Sequence, residues 1–473
     1  MKILKNSEGK ILGSKNGKVY KAKEQQEPET ALEHYRKYRP KEWPYIPLPS
    51  EMTETDDCIY LLYGKSESNF ILPSFEVTRL NNTCTVYKYM NTHLVSSYDY
   101  QFGSSSRTSL QFTYEDEDWE TYNYVIIKIQ GKITSFGTTY SGYYNNTAVH
   151  RGSSKLLEAN VKCAKCNVKF GTNTTATKNY DLRYISVKGN TEQTNFSNFL
   201  YECSKFIGFP EYDEISPVNA EYLFYKMTPK YLIPINSTNV TNLKYAYSET
   251  MLTNIDYPIT NNVTTLEYCF HKANIKKFPE IFDTSNVSNF SNFISYCSNL
   301  DVTELNRIDL SSATNISNML SYLPQMIKSP KLIFGKNSEI TASYLYSNSS
   351  ALEEIPDIDM RNIVGLQSAF SMCSNILKMN AKNICVSFSL SDSSLLSKEE
   401  LVNILSNCQV VTASQKLTLG SKLLNKLTDV YVKETGVEEF EDTICRPCVI
   451  CESTDEGAML ATDYFNSKGW TLA

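Results

Sequence analysis

The middle of the chain repeats one phrase: an aliphatic anchor, a short polar run, then apolar residues three, six and seven positions on. Its clearest copies run over 287–300 and 363–376; in the first, Val287 is followed by Phe290, Phe293 and Ile294, with Cys297 and Leu300 beyond. The anchors Val218, Val240, Val263, Val287, Ile316, Ile340 and Ile363 are spaced by 22, 23, 24, 29, 24 and 23 residues, and Phe196 continues the series backward by another 22. A period of this length marks stacked supersecondary units, none of which can bury its apolar face alone. The spacing within a unit predicts one or two helical turns, and segments such as 352–358 supply a short strand and its turn. Stacked, these units give a narrow parallel sheet with helices along the other side. The predicted solenoid spans 151–390 and opens with strands at 156–161 and 184–187.

The pattern changes on either side of the repeats. Short runs rich in β-branched and aromatic residues at 58–63, 70–72, 75–77, 84–87 and 124–129, separated by turn residues, predict a β-sandwich over 57–150. Before it, Lys2-Ile3-Leu4 recurs as Lys10-Ile11-Leu12 and Lys18-Val19-Tyr20, with Gly9 and Gly17 closing each unit. This is a strand arm over 1–25, too small to be stable unless docked. Residues 26–56 read as a helix from Glu27 to Tyr38, stopped by the Arg39-Pro40 bond, and a stiff linker from Trp43 to Pro49. After Phe388 the period ends. Ser397 and Glu400 form a capping box for a helix buried through Leu401, Ile404 and Leu405. A strand at 416–419 and a second apolar helix face at Leu423, Leu424 and Leu427 complete an α/β cap over 391–473, which shields the open end of the stack. The fold class is thus multidomain and β-rich α+β: arm, sandwich, solenoid, cap.

Composition narrows the function. A net charge of −6 over 473 residues leaves no basic stripe for nucleic acid. No apolar stretch is long enough to span a bilayer, and the Lys-rich start lacks the apolar region of a signal peptide. The thirteen Cys are scattered and odd in number, and Cys203, Cys269, Cys297 and Cys373 fall within the repeats as small buried hydrophobes. Folding in a reducing cytoplasm is expected.

One chemical signal is sharp. Cys445, Cys448 and Cys451 sit in the run Cys-Arg-Pro-Cys-Val-Ile-Cys, with the separations of a zinc site that recruits a fourth ligand. Cys163 and Cys166 form a second pair, at the other end of the rod. His271 follows Cys269 closely enough to raise a Cys-His dyad, although its repeat phase favours a packed position. The run Glu115 to Asp118 lacks the alternation and Gly of an EF-hand and reads as a solvated turn. Glu353-Glu354 and Glu399-Glu400 are adjacent carboxylates that face different ways. No cofactor is expected beyond a possible zinc ion, and no catalytic residue is assigned. Tyrosine is abundant, 33 in all, and Tyr201, Tyr245, Tyr247, Tyr268, Tyr296, Tyr322, Tyr344 and Tyr346 recur inside the units. Such rings suit interfaces or sugar stacking, or they fill the core.

The phrase 282–290 with Cys297-Ser298-Asn299-Leu300 resembles the BspA-like class of bacterial leucine-rich repeats, found on bacterial surface adhesins and in structural proteins of phages. The segments 397–405, 416–421 and 468–472 are similar to the cap ending such arrays in phage virion proteins, and the arm, linker and sandwich also resemble that architecture. The Trp-Gly-Asp-Gly phrase of the related sandwich domains is missing, and the insertion at 437–459 departs from the cap pattern. The resemblance implies a non-enzymatic virion structural protein of the tail, baseplate or fibre, made in the host cytoplasm and assembled as a homo-oligomer. Its partners would be other virion proteins, or a glycan or protein of the host surface. A head-attached decoration or fibre protein and a bacterial surface adhesin are the alternatives.

Overall fold

A computed structural model describes residues 29–64, 181–189, 193–231, 235–335, 339–440 and 443–473, with the segments 2–5, 11–15, 18–21, 75–78, 83–101, 107–110, 123–133, 135–138, 143–144, 147–148, 156–163 and 167–170. The expected strand at 70–72, the acidic run Glu115 to Asp118, and Cys166 lie outside these residues. The chain is β-rich with few helices, and its centre is a β-solenoid of about nine turns. A single apolar core runs from Ile59 through every coil to Trp470.

The solenoid is built by an alternation of backbone hydrogen bonds. In the coil around Tyr245, the N–H groups of Leu243, Tyr245, Tyr247 and Glu249 donate to the carbonyls of Thr265, Glu267, Cys269 and His271 in the next coil. The intervening N–H groups of Ala246, Ser248 and Thr250 donate three residues back within their own coil. Leu266, Tyr268, Phe270 and Lys272 repeat the outward set one coil later, at 2.8–2.9 Å. Parallel bridges mark the same line: Asn195, Asn219, Asn242, Thr265, Asn289, Asn315 and Thr341 each pair with the next. In most coils the bridging Asn also accepts the N–H two residues on, as Asn289 does from Ser291 at 3.0 Å, which fixes the turn into the coil.

This alternation explains why helices were expected and why none forms. The buried set Phe290, Phe293 and Ile294 matches a helical spacing, because the within-coil bonds reach back three residues. A helix, however, would send every N–H back along its own chain, and here every second one must serve a neighbour. The two chain directions are reconciled by a pair of residues in the left-handed region in each coil, four apart: Tyr222 and Lys226, Tyr245 and Glu249, Tyr268 and Lys272, Tyr296 with Asn292, and on to Ser368 and Met372, with φ between 52° and 64°. None is β-branched, as sterics require there. Between 190 and 396 only two 3-10 turns occur among the described residues, Ser237–Asn239 and Val302–Arg307.

Three anchors prove to be out of phase: Ile316, Val218 and Phe196, the last of which donates to Asn219 and so stacks with Ala220. Phe290 donates to Asn315 and Ile316 to Thr341, so Ile316 stacks with Phe290 and Ala342, and the residue in phase with Val287 is the fully buried Ala313. The irregular 29-residue step dissolves into a coil lengthened by the Val302–Arg307 turn. Val218 is exposed; Pro217 fills its place.

The solenoid grows directly out of a preceding sheet. That six-stranded sheet has the order Tyr184–Lys188, Leu156–Lys162, Cys58–Gly64, Tyr124–Gln130, Thr83–Met90, His93–Gln101. The two strands expected to open the repeats therefore exist, but Leu156–Lys162 pairs antiparallel with Cys58–Gly64. Tyr184 and Val187 then bridge in parallel to Gly208 and Tyr212, the first step of the stack. A four-stranded sheet has the order Asn167–Lys169, Ser135–Thr138, Phe75–Thr78, Arg107–Leu110, and the strands Lys2–Lys5, Ile11–Lys15 and Lys18–Lys21 pair antiparallel in that order.

The segment expected to be a spacer is packed instead. The helix Ala31–Tyr38 starts at Thr30, whose side chain and Glu33 make a reciprocal capping box, three residues later than the expected start. Trp43, Ile46 and Leu48 of the linker are buried with Tyr35 against Leu62, Ile126 and Tyr184 of the sheet. Beneath them the buried Glu158 carboxylate accepts from the Tyr35 hydroxyl at 2.6 Å and from Arg39 Nε at 2.8 Å. Burial raises its pKa, and Arg39 opposes that rise.

At the far end the cap continues the stack with the parallel strands Phe388–Ser389, Gln415–Thr418 and Trp470–Leu472. The helix Lys398–Ser406 is capped by Ser397, whose hydroxyl accepts from the Glu400 N–H at 3.1 Å. The return bond of the expected box does not form; one Glu400 carboxylate oxygen stays buried and unpaired. The last carbonyls of this helix are held by Lys468, whose buried ammonium donates to Leu405, Ser406 and Cys408 at 3.0–3.2 Å. Gly469 turns the chain at φ 87°, where a Cβ would strike the Val411 carbonyl.

Because Met372 is held at φ 60° and its side chain is 59% exposed, Met372→Gly removes backbone strain without removing core. It should raise stability by about 1 kcal/mol in equilibrium denaturation, a gain opposite to that of Gly elsewhere. A loss would show that the left-handed turns are not a cost of this fold.

Candidate binding face of the solenoid

The left-handed positions put aromatic rings on one flank. At the first such position Tyr222, Tyr245 and Tyr268 stack face to face, with ring centroids 4.6 and 4.4 Å apart and planes within 9° of parallel. The stripe then steps across through His271, which meets Tyr268 and Tyr296 edge-on at 5.2 and 5.5 Å. It continues at the second position with Tyr296 on Tyr322 at 3.8 Å. Toward the sheet, Tyr201 stacks on Tyr225 at 4.7 Å. These spacings are those of neighbouring strands, so the ladder is a direct copy of the backbone register in side chains.

Two of the eight tyrosines singled out in the sequence lie elsewhere. Tyr247 and Tyr346 are buried, stacked with Phe224, Phe270 and Phe370 in the core. Tyr344 is on the flank, 39% exposed. The left-handed position separates the two sets: Tyr245 sits at φ 55° and turns its ring to the flank, while Tyr247, two residues on, follows Ala246 into the core. Tyr222 and Tyr225 belong to the flank as well.

Charge runs beside the rings with alternating sign. Lys226 lies 3.4 Å from Glu202 in the coil before and 3.8 Å from Glu249 in the coil after, and Lys244 lies 3.0 Å from Glu267. The pKa of Lys226 is raised; burial works against the rise, and the Tyr225 hydroxyl and the two carboxylates outweigh it. These partly buried pairs alternate in sign from coil to coil, and opposite charges facing one another across neighbouring strands favour this register.

The stacked rings cover one another's faces and present edges and hydroxyls to solvent. A pyranose needs an open ring face, which an internal rung of this ladder does not offer. The flank therefore suits hydrogen-bonding and shape recognition, as at protein interfaces where Tyr is enriched.

The residues considered for chemistry do not assemble into a site. Cys269 is fully buried, and burial pushes its thiol well up; His271 points to the flank and shares a 2.5 Å hydrogen bond with Ser295 Oγ. No dyad forms. Cys445 is buried in the strand Thr443–Cys445 with its thiol 3.4 Å from the Ser406 carbonyl. Cys448 and Cys451 begin and end the strand Cys448–Cys451, three apart, so they face opposite sides. Among the described residues no group of three Cys, His, Asp or Glu is arranged to hold a metal ion. Of the expected zinc ligands Cys445, Cys448 and Cys451, the first two are buried in the cap and flank the Lys468 ammonium and the Ser406 side chain, which accepts from the Cys448 N–H at 2.9 Å; Cys451 is half-buried on the other side of its strand. Eleven cysteines among the described residues are free, including Cys163. No helix among the described residues is long and apolar enough to cross a membrane.

Comparison of the chain with protein-family models, curated proteins and solved structures finds no match.

Two outcomes follow. Incubation with a chelator should leave the thermal midpoint unchanged, and metal analysis of the purified protein should find zinc well below one per chain. The second concerns pH. Burial, and then Lys272, lower the His271 pKa from 6.5 to about 4. The unfolded chain therefore binds this proton first, and stability present above pH 6.5 is lost as pH falls toward 4. Discounted for partial exposure, the loss is on the order of 2 kcal/mol. It should appear as the difference between wild type and His271→Gln in denaturation curves at pH 7 and pH 4.5. Parallel pH profiles for the two proteins would refute it.

Proposed function

We propose that this chain is a non-enzymatic structural protein of a phage particle, in the tail, baseplate or fibre apparatus, that presents its repeat flank to a protein partner. The observation that carries the reading is the laddered flank itself: a rigid, capped stack that repeats rings and charges at strand spacing over several coils is a display surface. In this reading the units are leucine-rich repeats of the BspA-like class. The meander at 2–21 anchors the chain to the particle, and the two sheets ahead of the repeats are a sandwich that spaces it. Symmetric positions on a particle favour several copies of the chain. The virion assignment rests on the sequence resemblance of the repeats and cap. The preference for a protein over a sugar rests on the stacked rings, whose faces are occupied.

Immunogold electron microscopy with antibodies to the purified chain should label the tail or fibre of particles of a phage encoding it. Labelling of the head would favour the decoration reading, and label confined to a bacterial surface the adhesin reading. Replacing Tyr222, Tyr245 and Tyr268 by Ser should then abolish attachment or assembly while the protein stays folded by circular dichroism. Retained assembly and attachment would remove the flank from the account.

A further inference from the structure

The line of parallel bridges that runs through the coils breaks once. It passes from Asn195 through Asn315 to Thr341 and Gly365. The next rung would join Gly365 to Ser389, but the strands Ile363–Gly365 and Phe388–Ser389 belong to separate sheets. The pairing resumes one coil later, where Ser389 pairs with Thr418. A groove of about 520 Å³ occupies the break, lined by Val364 to Ser368, Val386 to Ser389, and Gln415, Lys416 and Thr418.

The break is a wedge, not a loss of stacking. At its closed end Met372 N–H donates to the Asp392 carboxylate at 2.8 Å and the Ser393 hydroxyl to the Cys373 carbonyl at 3.1 Å. On the opposite side of the coil, Ile384 stays bridged to Cys408 across the same two coils. Only the flank between these contacts is open. On one wall the N–H groups of Leu366 and Ser368, whose equivalents Ala342 and Tyr344 donate to the next coil, have no partner among the described residues. They are two residues apart, the repeat of a strand edge. On the other wall Ser387 N–H is accepted by the Gln415 side-chain carbonyl at 2.8 Å. The equivalent N–H groups of Val263, Val287 and Ile363 donate three residues back within their own coils, and here an amide side chain from the coil beyond takes that place.

We propose that this wedge is an acceptor slot for one extended segment of another polypeptide, which completes the missing rung by main-chain hydrogen bonds. The ligand class follows from the walls: alternating backbone donors in an otherwise continuous parallel ladder select a strand. The volume is that of a ligand-binding cleft. Side-chain specificity is low, because the slot reads main chain. The inference is independent of the tyrosine flank and of any virion role.

The test uses the full chain and a blocked peptide with the sequence of residues 286–292, which supplies an intact rung in this solenoid. Amide exchange followed by mass spectrometry or NMR should slow at least tenfold at Leu366 and Ser368 at saturating peptide. The same peptide N-methylated at alternate residues should give no protection. Val364→Trp, which fills the slot from an exposed position, should abolish protection while leaving the melting midpoint in place. Unchanged exchange with the unmodified peptide would overturn the proposal. So would equal protection by the N-methylated peptide, or full displacement by a linear glucose oligosaccharide, which would mark a sugar cleft.

Discussion

The constraint from which this structure follows is that no coil can satisfy its own backbone. Half of the N–H groups in each turn find their acceptor only in the next coil, and an unpaired buried amide costs as much as a lost hydrogen bond. A coil is therefore stable only between two others, and the stack must be terminated at both ends by something that is not a coil. At the start that element is the edge strand Tyr184–Lys188 of the six-stranded sheet, already fixed by its pairing with Leu156–Lys162. At the end it is the cap, where the strand Gln415–Thr418 takes the place of a further coil and Trp470–Leu472 covers it. Local left-handed residues and a continuous core are consequences of the same demand: the chain must turn sharply to expose alternate donors, and burial offsets the cost of the turn.

Much of this was legible in the sequence, and the parts that were not share a cause. The period, the anchors Val240, Val263, Val287, Ile340 and Ile363, the cap helix behind Ser397 and the boundary at Arg39-Pro40 all depend on local pattern, and all are found. The helix expected in each unit was not, because Phe290, Phe293 and Ile294 satisfy a three-residue return as well as they satisfy a helix. What distinguishes the two is where Phe290 and Asn292 send their N–H groups, a non-local fact. Ile316 and Val218 were placed one phase off for a related reason: an aliphatic residue was sought at the anchor, and Ala313 and Pro217 occupy it. Trp43, Ile46 and Leu48 read as a linker because proline spacing indicates extension but not docking. The zinc reading of Cys445, Cys448 and Cys451 rested on spacing; Cys445 and Cys448 do meet, at the Lys468 ammonium, but the extended strand Cys448–Cys451 turns Cys451 to its other side.

The flank shows how a backbone register becomes a surface. Tyr222, Tyr245 and Tyr268 stack because their Cα atoms are held one strand spacing apart, and the left-handed backbone aims each ring outward in the same direction. The ladder shifts its column at His271, between the coils of Tyr268 and Tyr296, and Asn292 takes the first position there. The ring line survives the shift because an imidazole can meet both neighbours edge-on. A ring that must bridge two columns is buried on both sides, and this is the origin of the depressed pKa at His271. The same packing that makes the surface continuous therefore removes a charge from it at neutral pH, leaving Lys226, Lys244 and their glutamates to set its field.

The break between Gly365 and Ser389 bears on the same argument from the opposite side. Other discontinuities among the described residues are compensated: the long coil absorbs its extra residues in a 3-10 turn whose start is capped by Asp301, and the helix Lys398–Ser406 has its last carbonyls held by Lys468. At the wedge the compensation is partial. Asp392 satisfies Met372 across the break and Gln415 satisfies Ser387 from the coil beyond, yet the N–H groups of Leu366 and Ser368 have no partner among the described residues. At the margin of the unpaired stretch the Asp392 carboxylate occupies the Met372 donor that a closed stack would use. The last coil is thus held apart from the cap by specific contacts, and that separation is a property of the fold to the same degree as the register of the coils before it.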